Sequence, residues 1–283
     1  MSYYPLSNLG GGFAGRRSAG EGEGVLWLHG YGLDSSSWAD VWDRLPRWRH
    51  VGVDLPGHGL SEPLPQREDL GVLVKRLAEV ARRHHARHLV GLSLGAAIAL
   101  AMARECPGAF QSLALASPLL GGPPEVEAFW KRYKEMSNMY RMAGFGEHLR
   151  GRLVLVVPSA FDGVRPDTPL WDRLWRIVGR HPFWDLADAG YLRASSLEWP
   201  EETLRAVAVP ALVMVGELDS TGSEAAAERL VAALPSVQHV LLPGAAHLSI
   251  LEAPAAGATA LDAHLGAHSA SMAEGLSKTE AGA

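Results

Sequence analysis

Short apolar runs alternate along the chain with longer segments whose apolar residues recur every three or four positions. The short runs are rich in Val and Leu, which is typical of buried β-strands, whereas the spacing of three and four predicts amphipathic helices. The predicted strands are Val25–His29, His50–Asp54, His88–Leu92, Ser112–Ala116, Ala211–Val215 and Val237–Leu242. The predicted helices are Ser36–Leu45, Asp69–His84, Leu94–Glu105, Ser223–Leu234 and Ser249–Leu265. Strands that alternate with helices predict an α/β fold with a mostly parallel, doubly wound sheet.

One long segment, residues 118–200, breaks this alternation. Its strand signals largely vanish, and amphipathic runs over Val126–Met142 and Pro169–Val178 take their place. Beyond residue 265 the composition turns to Ala, Ser, Gly, Lys and Glu, which predicts a disordered tail. The predicted divisions are a core built from 1–117 and 201–265, an inserted helical cap at 118–200 and the tail at 266–283.

The predicted cap is rich in aromatic residues, since it holds twelve of the 21 in the chain. Two interpretations of this enrichment stay open: a small second core, or an apolar and adaptable substrate pocket. For the pocket we expect Trp130 and Met139 to be lining residues. Their run is the first amphipathic segment after the strand that ends near Ala116, and that strand end lies at the edge of the sheet where the site is expected.

Composition and charge exclude several classes of protein. The chain of 283 residues is 47% hydrophobic and 20% charged, so it can build one large core that buries roughly 75% of the unfolded surface. Its net charge of −5 gives no basic field for nucleic acid or for an anionic membrane. Cys106 stands alone, which excludes an internal disulfide and a cysteine-based zinc site.

The apolar runs are also too short for a membrane protein, because none approaches ~18 residues. The N-terminal stretch is interrupted by Pro5 and Gly10–Gly12 and lacks the apolar centre of a signal peptide. We therefore expect a soluble, cytoplasmic protein that acts on a small molecule and binds neither nucleic acid nor membrane, while its oligomeric state stays open.

The motif Gly91-Leu92-Ser93-Leu94-Gly95 carries the clearest chemical signal. It lies between a predicted strand and a predicted helix, where a strained turn can present a nucleophilic serine and small neighbours avoid a backbone clash. Outside that context a Gly-x-Ser-x-Gly motif is weak, because Gly and Ser are common in turns. Between a strand and a helix, the motif identifies Ser93 as a candidate nucleophile.

An activated serine needs a base and an acid that orients the base. Asp219 follows the strand that ends near Val215, and Glu217 in the same loop is an alternative acid. His247 follows the next strand, just before a helix. The order Ser93, Asp219, His247 is the one that this triad follows on an α/β scaffold, so these three residues are the predicted catalytic set.

Further motifs carry a resemblance to a known family. They are the run Leu28-His29-Gly30-Tyr31-Gly32, the run Asp54-Leu55-Pro56-Gly57-His58-Gly59-Leu60-Ser61, and the ending formed by His247, Glu252 and Pro254. With the triad they span residues 25–265, and together they resemble the α/β-hydrolase superfamily, in its capped branch of serine hydrolases. The resemblance implies an α/β-hydrolase fold with an inserted helical cap.

The resemblance also implies roles for backbone groups. In similar proteins the residue after the His-Gly pair and the residue after the nucleophile donate N–H groups to the oxyanion, which here means Tyr31 and Leu94. His29 and His58 are expected to be structural residues. Members of the family that are haloalkane dehalogenases or soluble epoxide hydrolases use an Asp nucleophile, so Ser93 disfavours those two reactions.

No cofactor and no metal are expected. The remaining histidines, among them His84, His85 and His88, are interpreted as solvated residues at helix ends, and no spacing of His, Asp and Glu suggests a metal site.

These observations favour hydrolysis of a rather apolar carboxylic ester, lactone or thioester through an acyl-enzyme. The main alternative keeps the fold and the triad but makes the protein a lyase, C–C bond hydrolase or cyclase in a bacterial biosynthetic pathway. A third possibility is a binding protein that keeps the pocket without catalysis. The excess of Arg over Lys, 22 to 4, is typical of a GC-rich bacterial source.

Overall fold

The computed structural model describes residues 4–64, 68–120, 125–155, 160–184, 186 and 199–269, without the side chains of 125–130 and 155. The predicted tail, 266–283, lies outside the described residues from residue 270 onward.

The described strands form one eight-stranded sheet in the order β1-β2-β4-β3-β5-β6-β7-β8. Their bounds are β1 Leu6–Gly10, β2 Phe13–Arg17, β3 Gly24–Leu28, β4 Arg49–Val53, β5 Ala86–Leu92, β6 Ser112–Ala116, β7 Ala211–Gly216 and β8 Val237–Leu242. Strands β3 to β8 are parallel neighbours and correspond to the six predicted strands. The α/β fold with a mostly parallel sheet is therefore confirmed.

The helices that the structure describes begin with a 3₁₀ turn at Ser35–Trp38. They continue as α1 Ala39–Trp42, α2 Leu70–Arg83, α3 Leu94–Glu105, α4 Glu125–Ala143, α5 Glu147–Leu155, α6 Pro169–Arg180, α7 Glu201–Arg205, α8 Thr221–Ala233, α9 Ser249–Glu252 and α10 Pro254–Ala267. None of those within the described part of the chain is long and apolar enough to cross a membrane.

The helix predicted over Ser249–Leu265 is in fact two helices, α9 and α10. The chain bends at Ala253, whose φ and ψ of −116° and 59° are not helical. Pro254 causes the break, because its ring disfavours the helical conformation for the preceding residue and it has no N–H to donate.

An N-terminal hairpin is the largest element that the sequence pattern misses. Strands β1 and β2 pair antiparallel, and β2 then pairs antiparallel with β4 at one side of the parallel sheet. Gly11 and Gly12 have φ values of +64° and +79°, which glycine adopts without strain, so the glycines that break the apolar pattern form the turn of a hairpin.

Both faces of the sheet are covered, as the doubly wound prediction requires. One face packs against α2, α3 and α8, and the other packs against α1, α10 and residues of α4 to α6. On the second face, the rings of Trp27, Trp38 and Trp42 are fully buried. The centroid of Trp27 lies 5.1 Å from that of Trp38 and 6.0 Å from that of Trp42.

We use the term cap segment for residues 118–200. Its predicted helices over Val126–Met142 and Pro169–Val178 correspond to α4 and α6, and α5 is an additional helix. Two ion pairs join α6 to the 3₁₀ turn and α1. Arg173 lies 2.8 Å from Asp40 in α1, and Arg180 lies 3.1 Å from Asp34 at the start of the 3₁₀ turn.

The prediction that His88 is a solvated residue at a helix end is wrong. It lies within β5 and is fully buried, with Nδ1 2.8 Å from the Ser112 hydroxyl and Nε2 2.9 Å from the Glu23 carboxylate. The sequence around His88 does not reveal its burial, because the residues that satisfy its ring nitrogens come from distant segments of the chain.

Several other histidines are buried in neutral form. Burial holds the pKa of His29, His50 and His264 at about 4 and that of His58 at about 3, against 6.5 for a free imidazole. His181 is buried to the same extent, and desolvation lowers its pKa as well.

Acidification from pH 6.5 towards 4 is therefore expected to lower the free energy of unfolding. The unfolded chain takes up protons at these histidines in that range and the folded chain does not, so stability present above pH 6.5 is lost as the pH falls. Each fully buried group contributes on the order of 3 kcal/mol. Urea unfolding at stepped pH measures this slope. A constant free energy of unfolding over this range would contradict the expectation.

Candidate active site

Ser93 lies in the turn between β5 and α3, where the chain leaves the carboxyl edge of the sheet. Its φ of 53° and ψ of −113° are unfavourable for a residue with a side chain. The Ser93 N–H donates to the Ala116 carbonyl at 2.9 Å and fixes the turn to the end of β6. This strained turn presents the hydroxyl where β5 ends, as the motif predicts.

The glycines on either side of Ser93 are sterically required. A Cβ on Gly91 would lie 2.3 Å from the Gly95 carbonyl oxygen, and a Cβ on Gly95 would lie 2.0 Å from the Leu28 carbonyl oxygen. Both contacts involve backbone atoms, which cannot move aside without shifting the sheet. Ala96, the next residue, is buried.

His247 lies between Ser93 and Asp219 and contacts both. Its Nε2 is 2.9 Å from Ser93 Oγ, and its Nδ1 is 2.9 Å from Asp219 Oδ1. Because the Asp219 carboxylate accepts a hydrogen bond from Nδ1–H, the neutral ring leaves Nε2 free to accept from the Ser93 hydroxyl. The loops after β7 and β8 thus bring the predicted acid and base to the predicted nucleophile.

Glu217, the alternative acid, does not contact His247 in this arrangement. Its side chain is exposed and accepts a hydrogen bond from the Gly244 N–H at 2.9 Å. Glu217 therefore contacts the loop after β8 from its solvent side, whereas Asp219 bonds to the imidazole of His247.

The environment of Asp219 favours a charged carboxylate. Its side chain is fully buried, whereas that of His247 is 13% exposed. Burial acts to raise the pKa of Asp219, but the hydrogen bond and charge of His247, together with Ser117 and the Ser220 N–H, outweigh it and lower that pKa. Asp219 therefore stays ionised beside His247 at neutral pH.

Ser223 is a contact that the sequence pattern does not reveal. It is fully buried in the first turn of α8, and its hydroxyl lies 3.2 Å from His247 Nδ1, the atom that also meets Asp219. A serine near a helix start usually signals a cap, and here Ser220 has that role. Nothing in the sequence distinguishes Ser223 from other residues of this turn.

The loop of the predicted oxyanion donors lies directly against Ser93, since a Cβ on Gly30 would be 3.5 Å from Ser93 Cβ. Leu94 is the first residue of α3, so its N–H has no acceptor within that helix. Tyr31 follows Gly30 and packs its ring against His58, with the ring centroids 5.6 Å apart.

Two neutral histidines fix this loop. His29 Nδ1 donates to the Gly30 carbonyl at 2.8 Å, and its Nε2 accepts from the Leu55 N–H at 2.9 Å. His58 Nε2 accepts from the Gly32 N–H at 3.1 Å. Each ring must donate from one nitrogen and accept at the other, which only the neutral form can do.

The cap segment contacts the same loop. A Cβ on Gly32 would lie 2.9 Å from Leu153 Cδ2, and the ring centroid of His181 lies 4.3 Å from that of His58. Of the predicted pocket residues, Met139 is partly buried against the core cluster on this face of the sheet. The side chain of Trp130 lies outside the described residues, so the assignment of both to a substrate pocket stays a prediction.

Within the described ranges, no group of three or more His, Cys, Asp and Glu side chains is arranged to hold a metal ion.

Comparison with known proteins agrees with the fold. Residues 25–260 match the model of the alpha/beta hydrolase family. A pimeloyl-[acyl-carrier protein] methyl ester esterase of Nitrosomonas europaea is 28% identical over 255 residues, which cover 87% of this chain and 97% of that protein. The enzyme of the same name from Methylococcus capsulatus is 36% identical over 130 residues, or 45% of this chain, and the match spans about half (49%) of that relative.

A crystal structure of a hydrolase from Pseudomonas aeruginosa PA01 has the same fold. The two chains superpose with a TM-score of 0.73 at 24% identity, over 90% of this chain and 94% of the other. The family match covers both motif runs, the turn at Ser93 and the loops after β7 and β8. This chain therefore belongs to the alpha/beta hydrolase family.

Proposed function

We propose that the protein is a serine hydrolase that cleaves a carboxylic ester, lactone or thioester through an acyl-enzyme. The observation that carries this proposal is the continuous hydrogen-bonded line from Ser93 Oγ through His247 to Asp219, with both contacts at 2.9 Å. That arrangement supplies a nucleophile, a general base and an ionised acid in the geometry that acyl transfer needs.

In the acylation step, Ser93 Oγ forms a bond to the substrate carbonyl carbon while His247 Nε2 takes the hydroxyl proton. The negative charge moves to the carbonyl oxygen, where the N–H groups of Tyr31 and Leu94 stabilise it; one such donor is worth roughly 10²–10³ in rate. Asp219 stabilises the imidazolium. The bond to the leaving group then breaks, and His247 returns the proton to the departing oxygen or sulfur.

In the deacylation step, water attacks the acyl carbon and His247 Nε2 takes its proton. When the second tetrahedral intermediate collapses, the bond to Ser93 Oγ breaks and His247 protonates that oxygen. The products are a carboxylic acid and the free enzyme. Every proton transfer in this scheme uses a nitrogen of His247.

A rather apolar acyl group fits the cap segment best. The segment has eleven Lys and Arg against ten Asp and Glu, so it offers no net field for a strongly charged substrate. Among its described residues Tyr133, Met136, Phe161 and Phe183 are buried. The full-length relative from N. europaea is named as an esterase, which supports a carboxylic ester as the substrate class.

The first test is the Ser93→Ala variant assayed against p-nitrophenyl esters. We expect turnover to fall by up to ~10⁶-fold with the melting temperature preserved, because the change removes the nucleophile alone. Ser7→Ala, on the half-buried β1, is the control and keeps full activity. If folded Ser93→Ala keeps more than about a tenth of the wild-type activity, the proposal is contradicted. An enzyme that is labelled by a fluorophosphonate without turning over any ester would instead favour the lyase or cyclase alternative.

The second test compares two carboxylates that lie two residues apart. Asp219→Asn is expected to lower kcat by about 10⁴-fold, because a neutral amide stabilises the wrong imidazole tautomer. Glu217→Gln is the matched control, since Glu217 accepts a hydrogen bond from the Gly244 N–H and none from His247. It should change kcat little. The opposite ranking would show that Glu217 is the acid.

The third test concerns the cap segment as the acyl pocket. We expect Trp130→Ala and Met139→Ala to lower kcat/KM more for a long acyl chain than for acetate, since each buried apolar side chain is worth ~1.5–3 kcal/mol. A chain-length series from acetate to decanoate measures this. Met142→Ala, on the same helix but 89% exposed, is the control. Equal losses at every chain length, in step with a lower melting temperature, would assign Trp130 and Met139 to a second core.

A further inference from the structure

Glu252 holds the backbone on both sides of His247. It lies at the end of α9, and its side chain turns back toward the loop after β8. Glu252 Oε2 accepts from the Ala246 N–H, and Oε1 accepts from the Leu248 N–H, each at 2.9 Å. One carboxylate therefore fixes the two peptide groups that flank the histidine.

The cap segment approaches the Glu252 carboxylate closely at Gly163. A Cβ on Gly163 would lie 2.0 Å from Glu252 Oε2, so only glycine leaves room for it at this position. Burial is the largest influence on Glu252 and raises its pKa. The Ala246 and Leu248 N–H groups lower it, and among the charged groups Asp219 raises it and His247 lowers it.

A loop histidine needs such support to keep two hydrogen bonds at once. His247 must hold Nε2 at 2.9 Å from Ser93 and Nδ1 at 2.9 Å from Asp219, yet it sits in a turn between β8 and α9 without a strand or helix of its own. A displacement of the order of 1 Å can cost about 10²-fold in rate. Glu252 is partly buried. Two hydrogen bonds to one carboxylate are stronger than bonds to neutral acceptors, and they restrict the peptide planes on either side of His247.

We propose that Glu252 is a positioning residue that clamps the His247 loop and adds a second negative charge beside the imidazolium formed during acyl transfer. This inference rests on the proposed function of Ser93, His247 and Asp219. The clamp and the charge have separable consequences, because a shorter acid keeps the charge and loses the reach, whereas an amide keeps the reach and loses the charge.

The test is the pH profile of kcat/KM on p-nitrophenyl acetate for wild type, Glu252→Gln and Glu252→Asp. Glu252→Gln retains one acceptor oxygen but turns an NH₂ group toward the other amide, so kcat/KM falls about 10- to 100-fold. Its acid limb also moves to lower pH, because the lost charge no longer favours the protonated imidazole. Glu252→Asp lowers kcat/KM but leaves the acid limb where it is in the wild type.

Glu217→Gln is the matched control, since Glu217 also accepts a backbone N–H in this loop but is exposed and bonds once. It should leave both the rate and the acid limb unchanged. Rates are normalised to the fraction of enzyme titrated by a fluorophosphonate, so unfolded protein does not contribute.

If Glu252→Gln does not fold, a second variant tests the clamp from the side of the cap segment. The methyl group of Gly163→Ala would lie 2.0 Å from Glu252 Oε2 and 2.5 Å from Ala246 Cβ, so it disturbs the carboxylate and the loop residue that it holds; we expect a loss of kcat/KM at least as large as that of Glu252→Asp. Gly151→Ala, where a Cβ meets nothing within 4 Å, is its control and keeps wild-type activity.

The outcomes separate this inference from the proposed function. A wild-type enzyme that neither hydrolyses the ester nor reacts with the fluorophosphonate removes the proposed function. A wild-type enzyme that does both, with Glu252→Gln matching it in rate and acid limb, overturns the role of Glu252 alone. A rate loss in Glu252→Gln without movement of the acid limb overturns the electrostatic part and leaves the clamp.

Discussion

The strained turn at Ser93 is the constraint on which the rest of the site depends. A φ of 53° on a residue with a side chain is unfavourable, and it persists because neighbouring backbone leaves no alternative: Gly91 and Gly95 pack against carbonyl oxygens, and the Ser93 N–H is bonded to the end of β6. The turn places the hydroxyl at the carboxyl edge of a parallel sheet. At that same edge, the loops after β7 and β8 carry Asp219 and His247, so the sheet topology brings together residues that are distant in sequence.

A second layer of buried polar contacts holds the groups that meet Ser93. His29 and His58, both neutral, fix the Gly30–Gly32 loop through backbone bonds, and Glu252 does the same for the loop of His247. These side chains bond to backbone N–H and C=O groups that would otherwise be buried without partners, which is costly. Positioning and stability are therefore supplied by the same contacts, and the cap segment covers both loops through Leu153 and Gly163.

The sequence predicts the parallel strands and places Ser93, Asp219 and His247 at strand ends, because each signal is local: an apolar run followed by a turn. The N-terminal hairpin is missed because its two short strands are half polar and its turn is a run of glycines. The burial of His88 is missed for a different reason, since its partners come near only in the folded chain and leave no periodic pattern. Glu252 is part of the motif that carries the resemblance, but its two backbone contacts are visible only in the structure. The pocket assignment of Trp130 and Met139 depends on long-range packing in the same way.

The central proposal is that Ser93 is the catalytic nucleophile, and peptide mapping after reaction with a fluorophosphonate tests it most directly. We predict that the intact mass rises by one phosphonyl group per chain, with fluoride lost, and that the modified peptide carries the group on Ser93. Prior protonation of His247 at low pH should slow the reaction, because the hydroxyl then lacks its base. Modification at another residue, such as Cys106, or no modification of folded protein at neutral pH, would contradict the account.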